Sequence, residues 1–355
     1  SVISSFAMWF GLVPVASRSV EWTVPVLASG YLATGSVSGS LLQAFNLIVG
    51  TMIYIPFIKQ SERVQDREFL GKIKRLEASM NEDERSVWVR DFRWNTYENQ
   101  QTAKLLASDL EYALSKGALE LYYQPQVKRD GTLYGCEALL RWNYMGQGFV
   151  YPPLIIALAV QGDFIGSLGM YIVEKACRDM AGAHTQAGCP VSFSVNILPL
   201  ELEDPSFADH VLRILKDTGV EGSNLTIELT EQVALNPGPN LERQLEKLRE
   251  SRVRISMDDF GMGHGSLNYL NSAHYDEVKI DGSLIRRLPE HTQTCELVGN
   301  IMNMSRILGV STVAECVETP EQIQMLEKLG CSIYQGYYYS RPLPLDAFIE
   351  YVKGL

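Results

Sequence analysis

The 355-residue chain has a formal net charge of −11, with 42 acidic and 31 basic residues. This balance does not favour sequence-independent binding to a nucleic-acid polymer, which usually requires a basic surface. The six cysteines are scattered and form no C-x-x-C pair, so the sequence indicates neither a disulfide framework nor a thiolate zinc site.

The first 58 residues are almost free of charge, since only Arg18 and Glu21 are charged. Within them, residues 39–58 (GSLLQAFNLIVGTMIYIPFI) are uncharged and about as long as a helix that crosses the hydrocarbon core. We predict that residues 1–58 form a hydrophobic helical membrane segment; a buried helix of a soluble domain is the alternative. Because the first residue is Ser and no basic leader is seen, we expect a fragment or a processed product.

Residues 59–100 are strongly charged and are predicted to form a helical linker. Lysines and arginines follow the apolar run at once, which places this end of the segment in the cytoplasm. Phe69, Ile73, Leu76 and Met80 recur at intervals of three and four, as on one face of a helix. This face would suit pairing with a second protomer, and an ordinary solvated linker fits the same pattern.

From residue 101 onward the pattern is that of a globular domain. A helix is predicted over 101–116 and a strand over 119–127, and an Asp-Gly hairpin turn then leads into the strand LYGCEALLRW. Further strands alternate with segments of helical periodicity: VSFSVNI, LTIELT, VRISMDD, DEVKID, STVAEC and SIYQGY. This alternation predicts an α/β fold over 101–355, a (β/α)8 TIM-type barrel whose first strand runs antiparallel to the second.

Nearly every predicted strand carries a polar side chain at or near its carboxyl end. In a parallel barrel these ends meet at one face, and active sites lie there. The residues concerned are Glu137, Arg141, Asn196, Glu228, Glu231, Asp258, Asp259, Lys279, Asp281, Glu315, Glu318 and Gln335. We therefore expect most of these side chains to converge on one pocket.

So many carboxylates in one pocket would repel one another, and Lys279 and Arg141 supply too little positive charge to offset them. Hard divalent cations such as Mg²⁺ and Mn²⁺ bind carboxylate and amide oxygens and would resolve the repulsion. The adjacent Asp258 and Asp259 suit a bridging position between two metals, an arrangement typical of phosphodiester cleavage. Taken singly, each acid could cap a helix or form an ion pair, but their convergence favours a metal site.

The motifs also carry a family resemblance. Glu137-Ala138-Leu139, followed by Leu140-Arg141-Trp142, resembles the signature of the EAL domain family, the cyclic-di-GMP phosphodiesterases. YYQPQV, SVNI, ELTE, DDFGMG, VKID, AECVET and QGYYYSRPLP follow in the family's order over residues 103 to 355. The resemblance implies a modified (β/α)8 barrel with an antiparallel first strand, and hydrolysis of cyclic-di-GMP to linear pGpG with Mg²⁺ or Mn²⁺. It also implies a homodimer formed through this domain.

The resemblance further implies a role for each matching residue. One metal would be bound by Glu137, Asn196, Glu228 and Asp258. Asp258 and Asp259 would hold the second metal, with Glu315 nearby. Arg141 would contact a substrate phosphate, and Gln124 would lie near the bound nucleotide.

The implied catalytic residues are Lys279, Glu315, Gln335 and Glu231. Lys279 would orient or polarise the attacking water, and Glu315 or Gln335 would help to position it. Glu231 would anchor the glycine-containing loop after Asp259, which in the family couples dimerisation to metal binding.

Three departures from the family pattern flank these residues. Met262, His264 and Gly265 stand where the family usually has Thr, Tyr and Ser, and Cys316 stands where Gly is usual. Asn196 is followed by Ile197 and Leu198, where Leu-Ser is common. No implied metal ligand is lost, so an active enzyme is expected. The altered loop supports one alternative, a catalytically weak receptor that binds cyclic-di-GMP and signals through the linker.

The N-terminal segment resembles a second family. EWTVPVLASGYLATGSVSGSLLQAFNLIVGTMIYIPFIK is similar to the C-terminal end of the membrane IIC component of lactose/cellobiose-type phosphotransferase-system permeases. Residues 1–58 are far too short for a complete permease, so transport by this chain alone is not expected. Together the two resemblances imply a bacterial inner-membrane protein with its EAL domain in the cytoplasm, in which a sugar-permease-like part regulates hydrolysis.

Overall fold

The core of the described structure is a closed β-sheet. The computed structural model describes residues 97–144, 148–150, 152–188, 191–230, 239–261, 275–288 and 290–355. Its strands are β1 (Glu120–Lys128), β2 (Leu133–Arg141), β3 (Phe193–Asn196), β4 (Leu225–Thr230), β5 (Arg254–Phe260), β6 (Glu277–Ile280), β7 (Ser311–Ala314), β8 (Ile333–Gln335) and β9 (Leu343–Pro344). All eight predicted strands are present, and the two-residue β9 was not predicted.

Strand pairing closes the sheet into a barrel. Strands β2 to β8 lie side by side in chain order and are parallel. Strand β1 is antiparallel to both β2 and β8 and so joins the two edges, while β9 adds to β1. This arrangement confirms the predicted barrel and its antiparallel first strand.

Helices connect and cover the strands. They are α1 (Tyr97–Ser115), α2 (Pro152–Gln161), α3 (Ile165–Ala187), α4 (Pro199–Leu202), α5 (Phe207–Thr218), α6 (Pro239–Glu250), α7 (Gly282–Arg286), α8 (Thr292–Leu308), α9 (Pro320–Leu329) and α10 (Leu345–Lys353). None of these described helices has the length and apolar character needed to cross a bilayer. The predicted membrane segment 1–58 and nearly all of the linker 59–100 lie outside the described residues, so both stay predictions.

Local sequence signals explain several element boundaries. In the β1–β2 turn, Asp130 Oδ1 accepts hydrogen bonds from the backbone and the hydroxyl of Thr132, and Gly131 adopts φ +85°. Helix α9 begins with a capping box in which Thr319 accepts from the Gln322 N–H while the Gln322 side chain accepts from the Thr319 N–H. The turn residues and caps thus fix where these elements start.

The amino ends of the strands are closed by a satisfied polar network. Buried Glu277 accepts hydrogen bonds from the Tyr134 hydroxyl (2.7 Å) and from Ser256 Oγ (3.2 Å). Arg254 donates to the Tyr134 hydroxyl at 2.6 Å and lies 3.5 Å from Glu277. Because this carboxylate has both a counter-ion and hydrogen-bond donors, its burial is compensated.

Glu201 is a buried acid in α4, directly after β3. Its Oε2 accepts a hydrogen bond from the Leu198 N–H at 2.8 Å. Its Oε1 has no hydrogen-bond partner among the described residues and abuts Gly169 of α3, where a Cβ atom would overlap it. Burial raises the pKa of Glu201 to about 7, opposed only by the Leu198 hydrogen bond. The ionised carboxylate of Glu201 therefore destabilises the folded state.

We predict that Glu201→Gln stabilises the chain in a pH-dependent way. The folded-state pKa lies above the ordinary value of 4.5, so the wild-type stability falls as pH rises from about 4.5 through about 7. The gain from Glu201→Gln should therefore grow by about 2–3 kcal/mol between pH 5 and pH 8. Urea unfolding of the 355-residue chain, followed by circular dichroism at both pH values, measures it.

Glu203→Gln is the matched control, since Glu203 lies two residues away and is exposed. This variant should show no pH-dependent gain in the free energy of unfolding. A gain for Glu201→Gln that is equal at pH 5 and pH 8 would contradict the assignment of a raised pKa.

Candidate functional site

The predicted polar residues meet at the carboxyl ends of the parallel strands, a face called the barrel mouth below. The strand register sets their neighbours, because Asn196 of β3 lies beside Glu228 of β4, and Gln124 of β1 lies beside Glu137 of β2. Gln124, Glu137 and Glu228 are buried, and Glu228 is only 1% exposed, whereas Asn196 is exposed. The barrel mouth is therefore shielded from bulk water at Glu228 and open to it at Asn196.

Lys279 of β6 lies at the centre of this site with its side chain fully buried. Its Nζ is 2.8 Å from Glu315 Oε1, 2.9 Å from Glu228 Oε2, 3.2 Å from Glu137 Oε2 and 3.3 Å from Asp258 Oδ1. The four acids come from β2, β4, β5 and the residue after β7. The ammonium group of β6 therefore contacts acids of three other strands, β2, β4 and β5, and of the residue that follows β7.

Glu137 is held by amide donors as well as by Lys279. Gln335 Nε2 donates to Glu137 Oε2 at 2.6 Å, and Asn196 Nδ2 donates to Glu137 Oε1 at 2.7 Å. Gln335 Nε2 also donates to Gln124 Oε1 at 3.2 Å, and its own Oε1 accepts from Gln126 Nε2 at 2.9 Å. The orientation of the Glu137 carboxylate is therefore fixed from β3, β6 and β8.

Asp258, Asp259 and Glu315 form an oxygen cluster next to Lys279. Each offers a carboxylate oxygen, and these oxygens lie within 4.8 Å of one another. Asp259 adopts φ +56°, a left-handed conformation that Asp tolerates and that turns its side chain away from the strand alternation. The cluster is half-buried at Asp258 and Glu315 and exposed at Asp259, so it is open to a ligand.

The electrostatics of the barrel mouth show a shortage of positive charge. Burial would lower the pKa of Lys279, but the surrounding carboxylates outweigh it and raise that pKa well above its ordinary value. Burial likewise would raise the pKa of Glu137, but Lys279 and the amide donors lower it. For Glu228 burial prevails over Lys279, and its pKa is raised well above the ordinary range. Lys279 and the amide donors together favour the ionised form of Glu137, whereas Lys279 alone does not offset the burial of Glu228.

The two outer acids show the same shortage. Burial, reinforced by the Asp258 charge, raises the pKa of Glu315 to about 8, even though Lys279 opposes the shift. Burial and then Asp258 raise the pKa of Asp259 to about 6. Such raised values indicate that a further cation would favour the ionised forms.

The donor set fits a hard divalent cation. Glu228 Oε1 and Asp258 Oδ1 are buried and accept no hydrogen bond within the described part of the chain, although Asp258 Oδ1 lies 3.3 Å from Lys279 Nζ. A buried carboxylate oxygen that accepts no hydrogen bond is costly unless a ligand is bound to it. All the atoms available as metal ligands are oxygens, which Mg²⁺ and Mn²⁺ prefer. The residues present are therefore suited to hold such an ion.

The remaining predicted residues fall into three groups. Arg141, at the end of β2, is half-buried, and its guanidinium lies 5.6 Å from the Tyr122 ring centroid. Asp281 caps α7 by accepting from the Ser283 N–H, and the Glu318 backbone joins the α9 cap, so these two strand-end acids have capping positions. Glu231 lies outside the described residues, as do the altered loop positions Met262, His264 and Gly265.

The family model of the EAL domain matches residues 107–342. The chain belongs to the EAL domain family. Glu137, Ala138 and Leu139 are the residues of the family name, and Glu137 is the carboxylate that Lys279, Gln335 and Asn196 hold in place.

Two curated relatives of this EAL domain come from Pseudomonas aeruginosa. The cyclic di-GMP phosphodiesterase NbdA is 35% identical over 250 residues, which are 70% of this chain and 32% of NbdA. The cyclic di-GMP phosphodiesterase RocR is 31% identical over 252 residues, 70% of this chain and 63% of RocR. The chain thus spans only about a third of NbdA, and about the same share of the oxygen sensor protein DosP of Escherichia coli, which is 35% identical over 243 residues.

Solved EAL structures have the same fold. The PaMucR phosphodiesterase in complex with c-di-GMP is 34% identical with a TM-score of 0.65, and the alignment covers 69% of this chain and 99% of that one. The EAL enzyme Bd1971 with bound cAMP and cyclic-di-GMP is 27% identical with a TM-score of 0.67, covering 72% and 70% of the two chains.

Gln126 is a residue of this EAL site that the sequence analysis passed over. It is buried and donates to Gln335, so it supports the amide that holds Glu137. The signal was present, because Gln126 follows Gln124 by two positions and side chains alternate along a strand. Both glutamines of YYQPQV therefore face the same side.

We predict that Lys279→Met destabilises this EAL domain strongly in the absence of divalent ions. Removing the ammonium leaves buried Glu137 and Glu228 and half-buried Glu315 without their counter-ion, a loss that costs about 3–5 kcal/mol. Mg²⁺ should restore part of this stability because it supplies the missing positive charge. Urea unfolding of the 355-residue chain in EDTA and in Mg²⁺ measures both effects.

Lys353→Met is the control, since Lys353 forms an exposed ion pair with Glu350. It should change the free energy of unfolding by less than about 1 kcal/mol in either condition. If Lys279→Met were as stable as the wild type in EDTA, Lys279 would not be the group that makes the acid cluster tolerable.

Proposed function

We propose that the chain is a metal-dependent phosphodiesterase that hydrolyses cyclic-di-GMP to linear pGpG. The observation that carries this proposal is the cluster of Asp258, Asp259 and Glu315 oxygens beside the acids around Lys279. The activities named for NbdA and RocR, and the c-di-GMP in the PaMucR structure, support the same substrate.

Mg²⁺ or Mn²⁺ is the proposed cofactor, in a two-metal site. The ligands of one ion would be Glu137, Asn196, Glu228 and Asp258. Those of the other would be Asp258 and Asp259, with Glu315 nearby. When bound, the ions would offset the carboxylate charge and polarise the phosphodiester for attack by water. Support comes from the buried Glu228 and Asp258 oxygens that accept no hydrogen bond from the described residues and from the raised pKa of Glu315.

The chain's own residues would prepare the site for this reaction. Lys279 fixes the orientation of the Glu228 and Glu315 carboxylates, and Gln335 fixes that of Glu137. Glu315 borders both Lys279 and the aspartate pair, where it can accept a hydrogen bond from a water that attacks phosphorus. Arg141, at the edge of the barrel mouth, would bind a non-bridging phosphate oxygen. Because these groups are already placed, little reorganisation is needed during the reaction.

The proposal extends to assembly and location. A homodimer is supported by the family resemblance and by the apolar face Phe69, Ile73, Leu76 and Met80 of the linker. Attachment to the bacterial inner membrane, with the EAL domain in the cytoplasm, is supported by the uncharged run 39–58 and the basic residues after it. Regulation by a sugar-permease-like membrane part rests on sequence resemblance alone.

We predict that Asp258→Asn abolishes hydrolysis while the fold is kept. The variant loses the carboxylate shared by both proposed metal positions, so turnover should fall more than about 100-fold, the upper end for losing an outer-shell partner. The midpoint of thermal unfolding should not fall, because a negative charge leaves a repulsive cluster. Chromatographic assay of pGpG in Mg²⁺ and in Mn²⁺ measures the turnover.

Asp209→Asn is the matched control, because Asp209 lies in an exposed ion pair with Lys247 on helices α5 and α6. Its turnover should equal that of the wild type. Wild-type turnover in Asp258→Asn would contradict the metal assignment. Tight binding of cyclic-di-GMP by the wild type without pGpG formation in either metal would instead favour the receptor alternative.

A homodimeric enzyme should show a concentration-dependent specific activity. Diluting the 355-residue chain through its dimer dissociation constant should lower pGpG formation per protomer, since dimerisation is proposed to support metal binding. Analytical ultracentrifugation at the same concentrations gives the oligomeric state. Specific activity that stays constant while the dimer dissociates would rule out the coupling of dimerisation to catalysis.

A further inference from the structure

Asn196 is the one proposed metal ligand that is an amide, and it lies where β3 ends and the turn to α4 begins. Its Nδ2 donates to Glu137 Oε1 at 2.7 Å, which leaves Oδ1 as the atom able to bind a cation. Asn196 is exposed, so the packing of its side chain does little to fix its position. The backbone on either side of it therefore decides where the amide lies.

The turn between β3 and α4 offers two backbone N–H groups, because Pro199, the first residue of α4, has none. The Ile197 N–H donates to the Glu228 carbonyl at 3.0 Å and so continues the pairing of β3 with β4. The Leu198 N–H donates to Glu201 Oε2 at 2.8 Å. One end of the turn is thus held by the neighbouring strand and the other by the Glu201 carboxylate.

Glu201 is the only side chain in the described part of the molecule that is hydrogen-bonded to the backbone of this turn. Leu198 occupies the N-cap position of α4 with an extended backbone (φ −82°, ψ 150°), but its apolar side chain cannot accept a hydrogen bond. Glu201, three residues later, supplies the reciprocal half of a capping box. Its own N–H also donates to the Leu198 carbonyl at 3.0 Å, so both backbone groups of Leu198 are bound by Glu201.

The carboxylate of Glu201 has little freedom to move. The residue is 5% exposed, and its Oε1 contacts Gly169 of the 23-residue helix α3, where a Cβ atom would overlap it. Burial raises the pKa of this carboxyl, so its ionised form costs stability and core packing does not account for a glutamate here. A residue that costs stability while it fixes a turn beside a proposed ligand indicates a functional role.

We propose that Glu201 is a positioning residue for Asn196, because it holds the turn after β3 so that the Asn196 amide meets both Glu137 and the metal position. This inference rests on the proposed phosphodiesterase function, in which Asn196 binds a metal ion. Leu198 follows Asn196 by only two residues, so a displacement of the Leu198 N–H moves the Asn196 backbone directly. Groups that orient a metal ligand affect metal affinity without touching the ion, and Glu201 acts in this way through the backbone.

Glu201→Leu tests this role because it removes the hydrogen bond to the Leu198 N–H and keeps a buried side chain of similar size. The Mn²⁺ dissociation constant, measured by electron paramagnetic resonance of the free ion, should rise about 10- to 100-fold, the range for losing a group that orients a metal ligand. Glu201→Gln should keep the wild-type affinity, since its amide oxygen still accepts from the Leu198 N–H. Gly169→Ala should weaken Mn²⁺ binding as Glu201→Leu does, because the new Cβ displaces the carboxylate.

Asp204→Ala is the matched control, since Asp204 is exposed and accepts a hydrogen bond from the Ser206 N–H at 2.8 Å, the same length as the Leu198–Glu201 bond. This variant should leave the Mn²⁺ dissociation constant unchanged. Mn²⁺ binding by Glu201→Leu as tight as that of the wild type, or an equal loss in Asp204→Ala, would overturn the positioning role, since the cap would then serve only the local fold of α4.

The side-chain amide of Asn196 in the metal-free chain separates the two proposals. Selective ¹⁵N labelling of asparagine in the 355-residue chain gives its NMR signal, which is identified by its loss in Asn196→Ala. If the wild type binds no Mn²⁺ and forms no pGpG, but this signal shifts in Glu201→Leu and not in Asp204→Ala, the phosphodiesterase proposal fails and the positioning of Asn196 stands. If the signal does not shift in Glu201→Leu, the positioning role fails whether or not the chain is an enzyme.

Discussion

The ammonium group of Lys279, buried among four carboxylates, is the interaction on which the barrel mouth depends. The acids are contributed by separate strands or by the residue after a strand, so attraction to one cation draws those strand ends together. A buried lysine would ordinarily favour its neutral form, but here the acids raise its pKa. Charge and fold therefore support each other: the barrel brings the acids together, and Lys279 makes their proximity tolerable.

The positive charge of Lys279 does not offset all the carboxylates of the barrel mouth, and this shortage points to a bound ligand. A barrel that needed only stability would pair each acid, as the Glu277 network does at the opposite end. At the barrel mouth, by contrast, Glu228 and Glu315 keep raised pKa values and two carboxylate oxygens accept no hydrogen bond from the described residues. Sites that carry an electrostatic cost of this kind are typically those that bind a ligand of opposite charge.

The sequence was sufficient to predict the barrel and most of its polar residues. Strand β4 coincides with the predicted LTIELT, a run whose short length and β-branched Thr226, Ile227 and Thr230 favour a strand over a helix. The convergence of Glu137, Glu228 and Asp258 followed from the rule that parallel strands end at one face. These predictions needed only the strand period and the common direction of the strands.

Other features could not be predicted, because they depend on where a long side chain ends. The spacing of VKID places Lys279 on the inner face, but does not tell that its ammonium reaches four acids at once. The contact of Glu201 with Gly169 joins two helices distant in sequence. Asp281 had the same motif position as the other acids, yet the short helix after β6 makes it an N-cap. In each case the contacts of the side chain are set by tertiary packing, which the sequence pattern does not show.

The amides around Glu137 connect the strands at which the barrel closes. Gln335 of β8 donates to Glu137 of β2 and to Gln124 of β1, and Gln126 of β1 donates to Gln335 in turn. The sheet closes where β1 pairs with both β2 and β8, so this network spans the closure. A displacement of β1 would therefore change the hydrogen bonds of Gln335 and, through them, the direction of the Glu137 carboxylate. The geometry of the acid cluster thus depends on how the barrel closes as well as on Lys279.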